Sequence, residues 1–364
     1  MRVAIVGGIY GKSPAYRQGH RIAPETTLET GLRLRGIDVS TFSHFGPVDC
    51  GSFDVVHVHH LSWGAIRVAT NRSPAAFVFT PHNPQYMSGS LPFRYRVAME
   101  FVLQRADFTV ALSPKEKAFQ ERSYKLEPGT SEVIANGIPA DIFATRRRER
   151  RALGTPWRIL YVGQLNQIKR VDVLLEAVAR IPFPVTVTLV YQNAELEARL
   201  RSLASQLGIA EKVEFAGRKT PEELCRLYNG SDLFVLPSSG EALPSVVTEA
   251  MLCGTPIVAT DVGGIRDQLA GFGSIVPPNN PEELASAIRE VLTHYDRFES
   301  QAGQMCAYAR RSFSVDAMVD RHIDLYRRLT APALRRRSRL LFGPGNSIAR
   351  LGLGMWPKAT SASW

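Results

Sequence analysis

The chain has 364 residues, 45% of them hydrophobic and 21% charged, which is the balance of a soluble globular protein of about two domains. Lys and Arg outnumber Asp and Glu by 44 to 34, a net charge of +10, which bears on anionic partners rather than on fold. Four scattered cysteines without CxxC spacing argue against a cysteine metal site or a disulfide framework, and the absence of an 18-residue apolar run argues against a spanning helix.

Residues 2–6 (RVAIV) form a short apolar strand that runs into the glycine loop GGIYGKS. This opening is not built like a signal peptide. A cytosolic protein is expected, at most touching the inner face of a membrane. Gly7 and Gly8 let a backbone approach a ligand closely, although a plain turn explains them equally. A helix over 24–35 ends at Gly36, and 38–42 is the next strand. DVVHVHHLSW, 54–63, reads as a buried strand with His57 and His59 on one face and His60 at its end. No carboxylate or cysteine stands beside them, so structural histidines are favoured over a metal site. The strand beginning at 76 breaks at Pro81-His82-Asn83-Pro84. His82 then sits at a strand's carboxyl end, either as a substrate contact or as a cap on the turn. A helix over 95–105, a strand over 107–113, a helix capped by Ser113 and a strand over 133–139 complete a first domain, 1–143.

Residues 144–156 hold five arginines and one glutamate before a Gly-Thr-Pro break. They read as an inter-domain linker whose run Arg146 to Arg151 is also suited to anionic lipid. The second domain, 157–314, restarts with a strand over 158–162, a loop over 163–169 and an amphipathic helix over 171–180. Gly163 and Lys169 frame a turn suited to offering N–H groups and an ammonium to a phosphate. A lysine on a solvent edge is the blander alternative. A strand over 185–191 and a helix over 195–208 follow. Next come a short strand, the Gly217-Arg218-Lys219 loop and a helix opened by Thr220-Pro221-Glu222-Glu223.

The stretch SDLFVLPSSGEALPSVVTEAMLCGTPIVATDVGG, 231–264, organises this half. It reads as a strand, a polar loop with Glu241, and a helix starting near Pro244 that carries Glu249 and stops at Cys253-Gly254. A strand over 256–260 and a glycine turn close it. Polar residues at the carboxyl end of a strand are where open α/β sheets bind ligands. Taken alone, paired acids also fit hydrolytic acid–base work. A long helix spans 315–330. Residues 331–364 hold six basic, no acidic and several apolar side chains, which suits either a disordered tail or a segment on anionic lipid. The repeated β–α alternation predicts two doubly wound parallel sheets facing across a cleft.

The 231–264 stretch closely resembles the signature of the retaining glycosyltransferases of family 4, which have the GT-B fold. That signature is a Glu, seven residues, then EAMxxGxPVVAT, whose Glu is the second acid, and a Gly-Gly turn. Here it reads E-ALPSVVT-E-AMLCGTPIVATDVGG. The resemblance continues in order through DVVHVHH, TPHNP, VIANGI, YVGQLNQIKR and FAGRK, over roughly 1–330.

The resemblance implies a GT-B enzyme that moves a sugar from a UDP- or GDP-sugar with retention, without metal or other cofactor. The acceptor would be a glycan or lipid-linked molecule in cell-surface polysaccharide or glycolipid synthesis, with no nucleic acid partner. Glu249 would take the ribose hydroxyls, Glu241 the donor sugar's hydroxyls, Lys169 the diphosphate and His82 the transferred sugar. Gly7 and Gly8 would admit donor and acceptor. Gly163, Leu243 and Ser245 would line the sugar and diphosphate, and Gly217 and Arg218 the base. The last helix would cross back to the first domain. Attack would come from the front face, with the leaving phosphate helping to deprotonate the acceptor. The arginine usual after the first glycine is Gln164 here, and Arg170 replaces the glycine usual after the lysine, so Arg170 or Arg266 would supply the missing charge. Two other functions fit the same motifs. One is a nucleotide-sugar-binding subunit without turnover, for which Gln164 is the argument. The other is a different nucleotide-sugar enzyme such as an epimerase.

Overall fold

The computed structural model describes residues 1–20, 22–71, 73–82, 87, 92–145 and 154–331. The arginine run at Arg146–Arg151, the 332–364 tail and the Asn83-Pro84 pair lie outside the described residues. In the first half, β1 (Arg2–Gly7), β2 (Asp38–Ser43), β3 (Val55–His59), β4 (Ala76–Thr80), β5 (Phe108–Ala111) and β6 (Ser131–Val133) interleave with helices. These are α1 (Pro14–Gly19), α2 (Pro24–Leu34), α3 (Trp63–Thr70), α4 (Phe93–Arg105) and α5 (Pro114–Tyr124). The second half contains β7 (Trp157–Val162), β8 (Val185–Val190), β9 (Val213–Gly217), β10 (Leu233–Leu236), β11 (Ile257–Thr260) and β12 (Ser274–Val276). Its helices are α6 (Val171–Ala179), α7 (Glu197–Gln206), α8 (Pro221–Gly230), α9 (Ser245–Leu252), α10 (Ile265–Leu269) and α11 (Pro281–Thr293), then α12 (Tyr295–Ser300), α13 (Ala302–Phe313) and α14 (Val315–Thr330).

Each half forms a six-stranded sheet, ordered β2-β1-β3-β4-β5-β6 and β12-β11-β10-β7-β8-β9. Every pairing is parallel. A parallel strand is covered on both faces, so it is apolar throughout rather than alternating. β10 and β11 follow this rule and are buried at every position. In each sheet the strand order reverses beside the first strand of that half, β1 or β7. That reversal is where open α/β sheets leave a crevice at the carboxyl ends of the strands.

The helices begin where local chemistry allows. Ser113 accepts a hydrogen bond from Glu116 N at 3.1 Å, and Thr220 and Glu223 form a reciprocal capping box. Pro244 stands one position earlier than its sequence suggests, as the N-cap of α9. The strand expected over 133–139 is not formed; β6 lies earlier, at Ser131–Val133, and shares only Val133 with it. Past Ile134, whose N–H still donates to Ala111 O at 2.9 Å, the chain leaves the sheet and joins the α13–α14 junction. There Ile138 N donates to Phe313 O at 2.8 Å and Val315 N donates to Ile138 O at 3.1 Å. Gly137 is glycine because a Cβ would lie 2.6 Å from Val315 Cα.

α14 packs its apolar stripe onto the first half. Val319, Ile323 and Tyr326 join Val3, Ile5 and Leu32 in one core. Arg35 ties its outer face through Asp316, at 2.9 Å. Beneath it runs a chain of buried polar rings. His57 Nδ1 lies 2.7 Å from the Tyr326 hydroxyl and His57 Nε2 lies 2.8 Å from Thr80 Oγ1. His322 Nδ1 donates to Met318 O at 2.8 Å. His59 Nδ1 lies 2.7 Å from His82 Nε2. The rings bond to their neighbours rather than converge. Among the described residues no group of three or more His, Cys, Asp or Glu is placed to hold a metal ion. Burial pushes His57, His59 and His82 well below the usual imidazole range, and His322 to about 4.

Gly31 of α2 meets α14 so closely that a Cβ would lie 2.3 Å from Val319 Cγ2. Overpacking of this kind costs about 1–3 kcal/mol, more than the ~1 kcal/mol alanine gains over glycine in a helix. Gly31→Ala should therefore lower the denaturant midpoint. The histidines set a second expectation. A histidine held neutral by burial takes its proton more readily in the unfolded chain. The stability it contributes is complete above about pH 6.5. It is lost as pH falls toward the folded value, about 4 for His322. The unfolding temperature should thus decline across that window, and a flat profile would contradict neutral burial.

Candidate active site

The loops after β7 and β10 flank the crevice of the second sheet. Tyr161 OH donates to Gln164 O at 2.7 Å. It leaves no side-chain space at Gly163, where a Cβ would lie 2.5 Å from that hydroxyl oxygen. The Gly163 N–H is committed to Val190 O at 3.0 Å, so this glycine offers close approach rather than a free donor. Asn166 Oδ1 accepts from Lys169 N at 3.1 Å, which turns the lysine side chain toward the neighbouring loop. Lys169 Nζ then donates to Glu241 Oε1 at 2.6 Å, and Ser238 Oγ donates to the same oxygen at 2.7 Å. Ser239 N donates to Ile168 O at 2.7 Å, joining the loops a second time.

The Gly-Gly turn after β11 backs this loop. Gly263 has φ +58°, and a Cβ would stand 2.0 Å from Glu241 O. Gly264 N donates to Ala242 O at 2.8 Å. Gly264 also meets the first half, since a Cβ there would lie 2.6 Å from Ser113 Cβ. The carboxyl edges of the two sheets therefore face one another at this point.

Glu249 lies deeper, on α9, and is 5% exposed. Its Oε2 accepts from Tyr228 OH at 2.9 Å. Burial pushes its carboxyl up to about 7, against the lowering effect of the Tyr228 hydrogen bond. Ser245 begins α9, and no side chain caps that helix. Leu243 is nearly buried against the Gly264 turn. Arg170 sits in the left-handed region at φ 48° and pairs with Asp172 at 2.9 Å and with Asn279. Arg266 pairs with Asp261 at 2.6 Å. Gln164 Oε1 accepts from Asn166 Nδ2 at 3.0 Å. Gly217 and Arg218 stand at the end of β9, the edge of the sheet beyond β8. The fold thus brings together Lys169 and Glu241, with the Leu243–Ser245 loop beside them, and sets Gly217 and Arg218 at the sheet's margin.

The first sheet presents a second polar cluster. Gly7 and Gly8 end β1, and neither has free space for a side chain. A Cβ on Gly7 would lie 3.0 Å from Glu25 Cγ, and one on Gly8 would lie 3.2 Å from the His44 ring. Glu25 Oε1 stands 3.3 Å from His60 Nε2. His60 and His82 both adopt the left-handed conformation, at φ 65° and 56°. Their rings lie 4.8 Å apart. Burial pushes the Glu25 carboxyl up, but the hydrogen bond and charge of His60, with His82 behind it, outweigh this and hold it at about 2. His44 Nε2 donates to His59 O at 2.9 Å. Sequence reading singled out His82 and the two glycines here but missed Glu25 and His44. The available signal was an acid at 25 in register with Leu28 and Leu32 on the buried face of α2.

Two family models match the chain in tandem. The model described as Glycosyltransferase Family 4 covers residues 27–142, and that described as Glycosyl transferases group 1 covers residues 143–311. A D-inositol 3-phosphate glycosyltransferase of Acidothermus cellulolyticus is 31% identical over 325 residues, 80% of this chain and 71% of the relative. One from Rhodococcus opacus is 28% identical over 333 residues, 84% of this chain and 73% of the relative. Among solved structures, sucrose-phosphate synthase from Thermosynechococcus elongatus superposes with a TM-score of 0.77 at 20% identity, covering 90% of this chain and 99% of that one. Anabaena HepE, solved in complex with UDP, gives 0.71 at 20% identity, covering 89% and 99%. These two share the fold. The two matched models, the relatives and the paired parallel sheets lead to one conclusion: this chain belongs to glycosyltransferase family 4 and is a glycosyltransferase of GT-B architecture.

Proposed function

We propose that the protein transfers a sugar, with retention at the anomeric carbon, from a UDP- or GDP-sugar to a glycan or lipid-linked acceptor in cell-surface polysaccharide or glycolipid synthesis. The observation that carries this reading is the Lys169–Glu241–Ser238 cluster at the crevice of the second sheet. Lys169 is the cation for the diphosphate and stabilises charge on the departing nucleotide, work a metal ion does elsewhere. Glu241 Oε1 takes both protein donors, which leaves Oε2 for hydroxyls of the donor sugar. The backbone of Leu243 and Ser245, at the uncapped start of α9, lies along the diphosphate. Glu249 reads the ribose diol, for which two carboxylate oxygens are suited. Gly217 and Arg218 border the base, and His82 contacts the transferred sugar. Lys169, Arg170 and Arg266 each hold a carboxylate partner; Lys169 is the least exposed of the three and serves as the principal phosphate cation in this scheme. Neighbouring Anabaena HepE is described with UDP and with UDP-glucose, and the curated relatives are named for an inositol phosphate. Both facts favour UDP-sugars and a polyol or phosphorylated acceptor in a first screen.

A panel of UDP-, GDP- and ADP-sugars tests the reading. A true donor at about 100 times its Kd adds about 2.7 kcal/mol and should raise the unfolding temperature by about 3–4 °C. No shift with any of them would refute a donor site. Lys169→Ala should retain the fold and lose roughly 10²–10³-fold in kcat, as for removal of a preorganised charge partner. Glu249→Gln should weaken donor binding. It should also make the free protein more stable than wild type above pH 7. The wild-type carboxyl titrates at about 7 when folded, above its unfolded value, so the stability it contributes is present at acid pH and lost as pH rises through 7. Glutamine has no such loss. Donor titration and unfolding at pH 6 and 9 measure both effects.

A further inference from the structure

Three large apolar side chains stand exposed along one edge of the first sheet. β2, β1, β3 and β4 are consecutive neighbours in it, and all pair in parallel, so their carboxyl ends share that edge. Phe45 follows β2, Tyr16 lies on α1 after β1, and Phe93 opens α4 after β4. They are 67%, 43% and 73% exposed. α1 leaves Pro14 to Arg17 all exposed, although so short a helix is marginal without a packed face. Each ring has a cation beside it. Lys12 Nζ lies 5.7 Å from the Tyr16 ring centre and Arg96 Cζ 5.9 Å from that of Phe93. Arg67 Nη1 donates to Phe45 O at 3.1 Å.

The charge along this edge has one sign. The stretches 8–23, 60–67 and 81–96, which follow β1, β3 and β4, hold six Lys and Arg and no Asp or Glu. The stretch 44–53 after β2 adds one acid, Asp49, whose carboxylate turns onto Gly51 N and Ser52 Oγ. Among the described residues, Lys12, Arg17, Arg67, Arg94 and Arg96 pair with no carboxylate. Neighbouring strands stand about 4.8 Å apart, which spreads the rings over about 15 Å. The cations stand on three different connections, so they suit a plane of anions better than a single one. Exposed aromatic rings interleaved with unpaired cations are the composition that binds the headgroup region of an anionic bilayer.

We propose that the carboxyl edge of the first sheet is a docking surface for an anionic lipid bilayer. Tyr16, Phe45 and Phe93 enter the boundary between headgroups and acyl chains, and Lys12, Arg67, Arg94 and Arg96 hold headgroup phosphates beside them. The long stems of these cations let the charge stay at the headgroups while the rings go deeper. The surface is independent of the sugar-transfer reading. It adjoins Gly7 and Gly8, which directly precede the 8–23 stretch, so a docked protein holds that crevice next to the membrane.

Co-sedimentation of the full-length protein with vesicles tests this. Vesicles of equal parts phosphatidylcholine and phosphatidylglycerol should bind it, and phosphatidylcholine alone should not. Binding should fall as salt rises from about 0.1 to 1 M, where the screening length shrinks from about 10 to 3 Å. Arg94→Ser with Arg96→Ser should lower the partition coefficient roughly 10-fold. Phe45→Ser with Phe93→Ser should lower it by about as much with net charge unchanged, a loss that attraction between charges alone does not produce. Both double variants alter exposed side chains only and should unfold at the wild-type temperature. Inorganic phosphate should displace the protein no better than sodium chloride of equal ionic strength; stronger displacement would mark a discrete anion site and overturn the proposal. Equal binding to both vesicle types, binding to neither, or wild-type binding by both double variants would overturn it as well, the last placing the attachment elsewhere, as on the basic tail. The readout contains no donor, so its failure leaves sugar transfer untouched, and a failed donor thermal shift leaves the docking surface untouched.

Discussion

The ion pair between Lys169 and Glu241 fixes the geometry on which the second crevice depends. It lies between loops that follow strands adjacent in the sheet but far apart in the chain. Its side chains are 21% and 9% exposed. At that depth desolvation offsets much of the attraction, and a pair persists only where further hydrogen bonds satisfy the remaining polar atoms. Ser238 supplies one such bond on the Glu241 side, and Asn166 fixes the Lys169 backbone. Behind the pair, Gly263 leaves no space for a Cβ, so the carbonyl of Glu241 can pack directly on the glycine turn. Removing any one of these supports would let a loop move, and the separation of two charges would then vary with it.

The first half solves the same problem with different parts. Its central crevice is closed by glycines at 7 and 8, over which Glu25 and His44 lie. Two left-handed histidines end β3 and β4. The core behind them belongs partly to α14, which follows the second sheet in sequence yet buries Val319 and Tyr326 against β1 and α2. The contact of Ile138 with the α13–α14 junction pins the point at which the chain returns. One helix therefore couples the polar ring chain under the first sheet to the end of the second half. Core packing and site geometry are not separable there.

Periodicity and punctuation made much of this legible. Apolar runs of four to six residues bounded by glycine and proline marked parallel strands. Ser113 and the Thr220–Glu223 pair marked helix starts through a local rule that needs no tertiary information. The spacing between Glu241 and Glu249 put one acid in a loop and the other inside a helix. Short helices such as α1, α10 and α12 escaped notice because fewer than two turns carry little periodic signal. The strand at 133–139 was overread because its apolar residues are buried by α13 and α14, not by a sheet neighbour. An apolar run records burial without recording the partner.

By itself the sequence determined most of the strands and several of the helices, that they alternate into parallel sheets, and that acids, a lysine and a histidine fall at strand ends. These follow from local propensity and from a burial pattern carried within each segment. Only the tertiary structure decided which of those polar groups meet. Lys169 and Glu241 are 72 residues apart in sequence, and His60 and Glu25 come from different elements. Their pairing depends on strand order, on the crossovers between strands and on steric exclusion at glycines. None of these is written in any single stretch of residues.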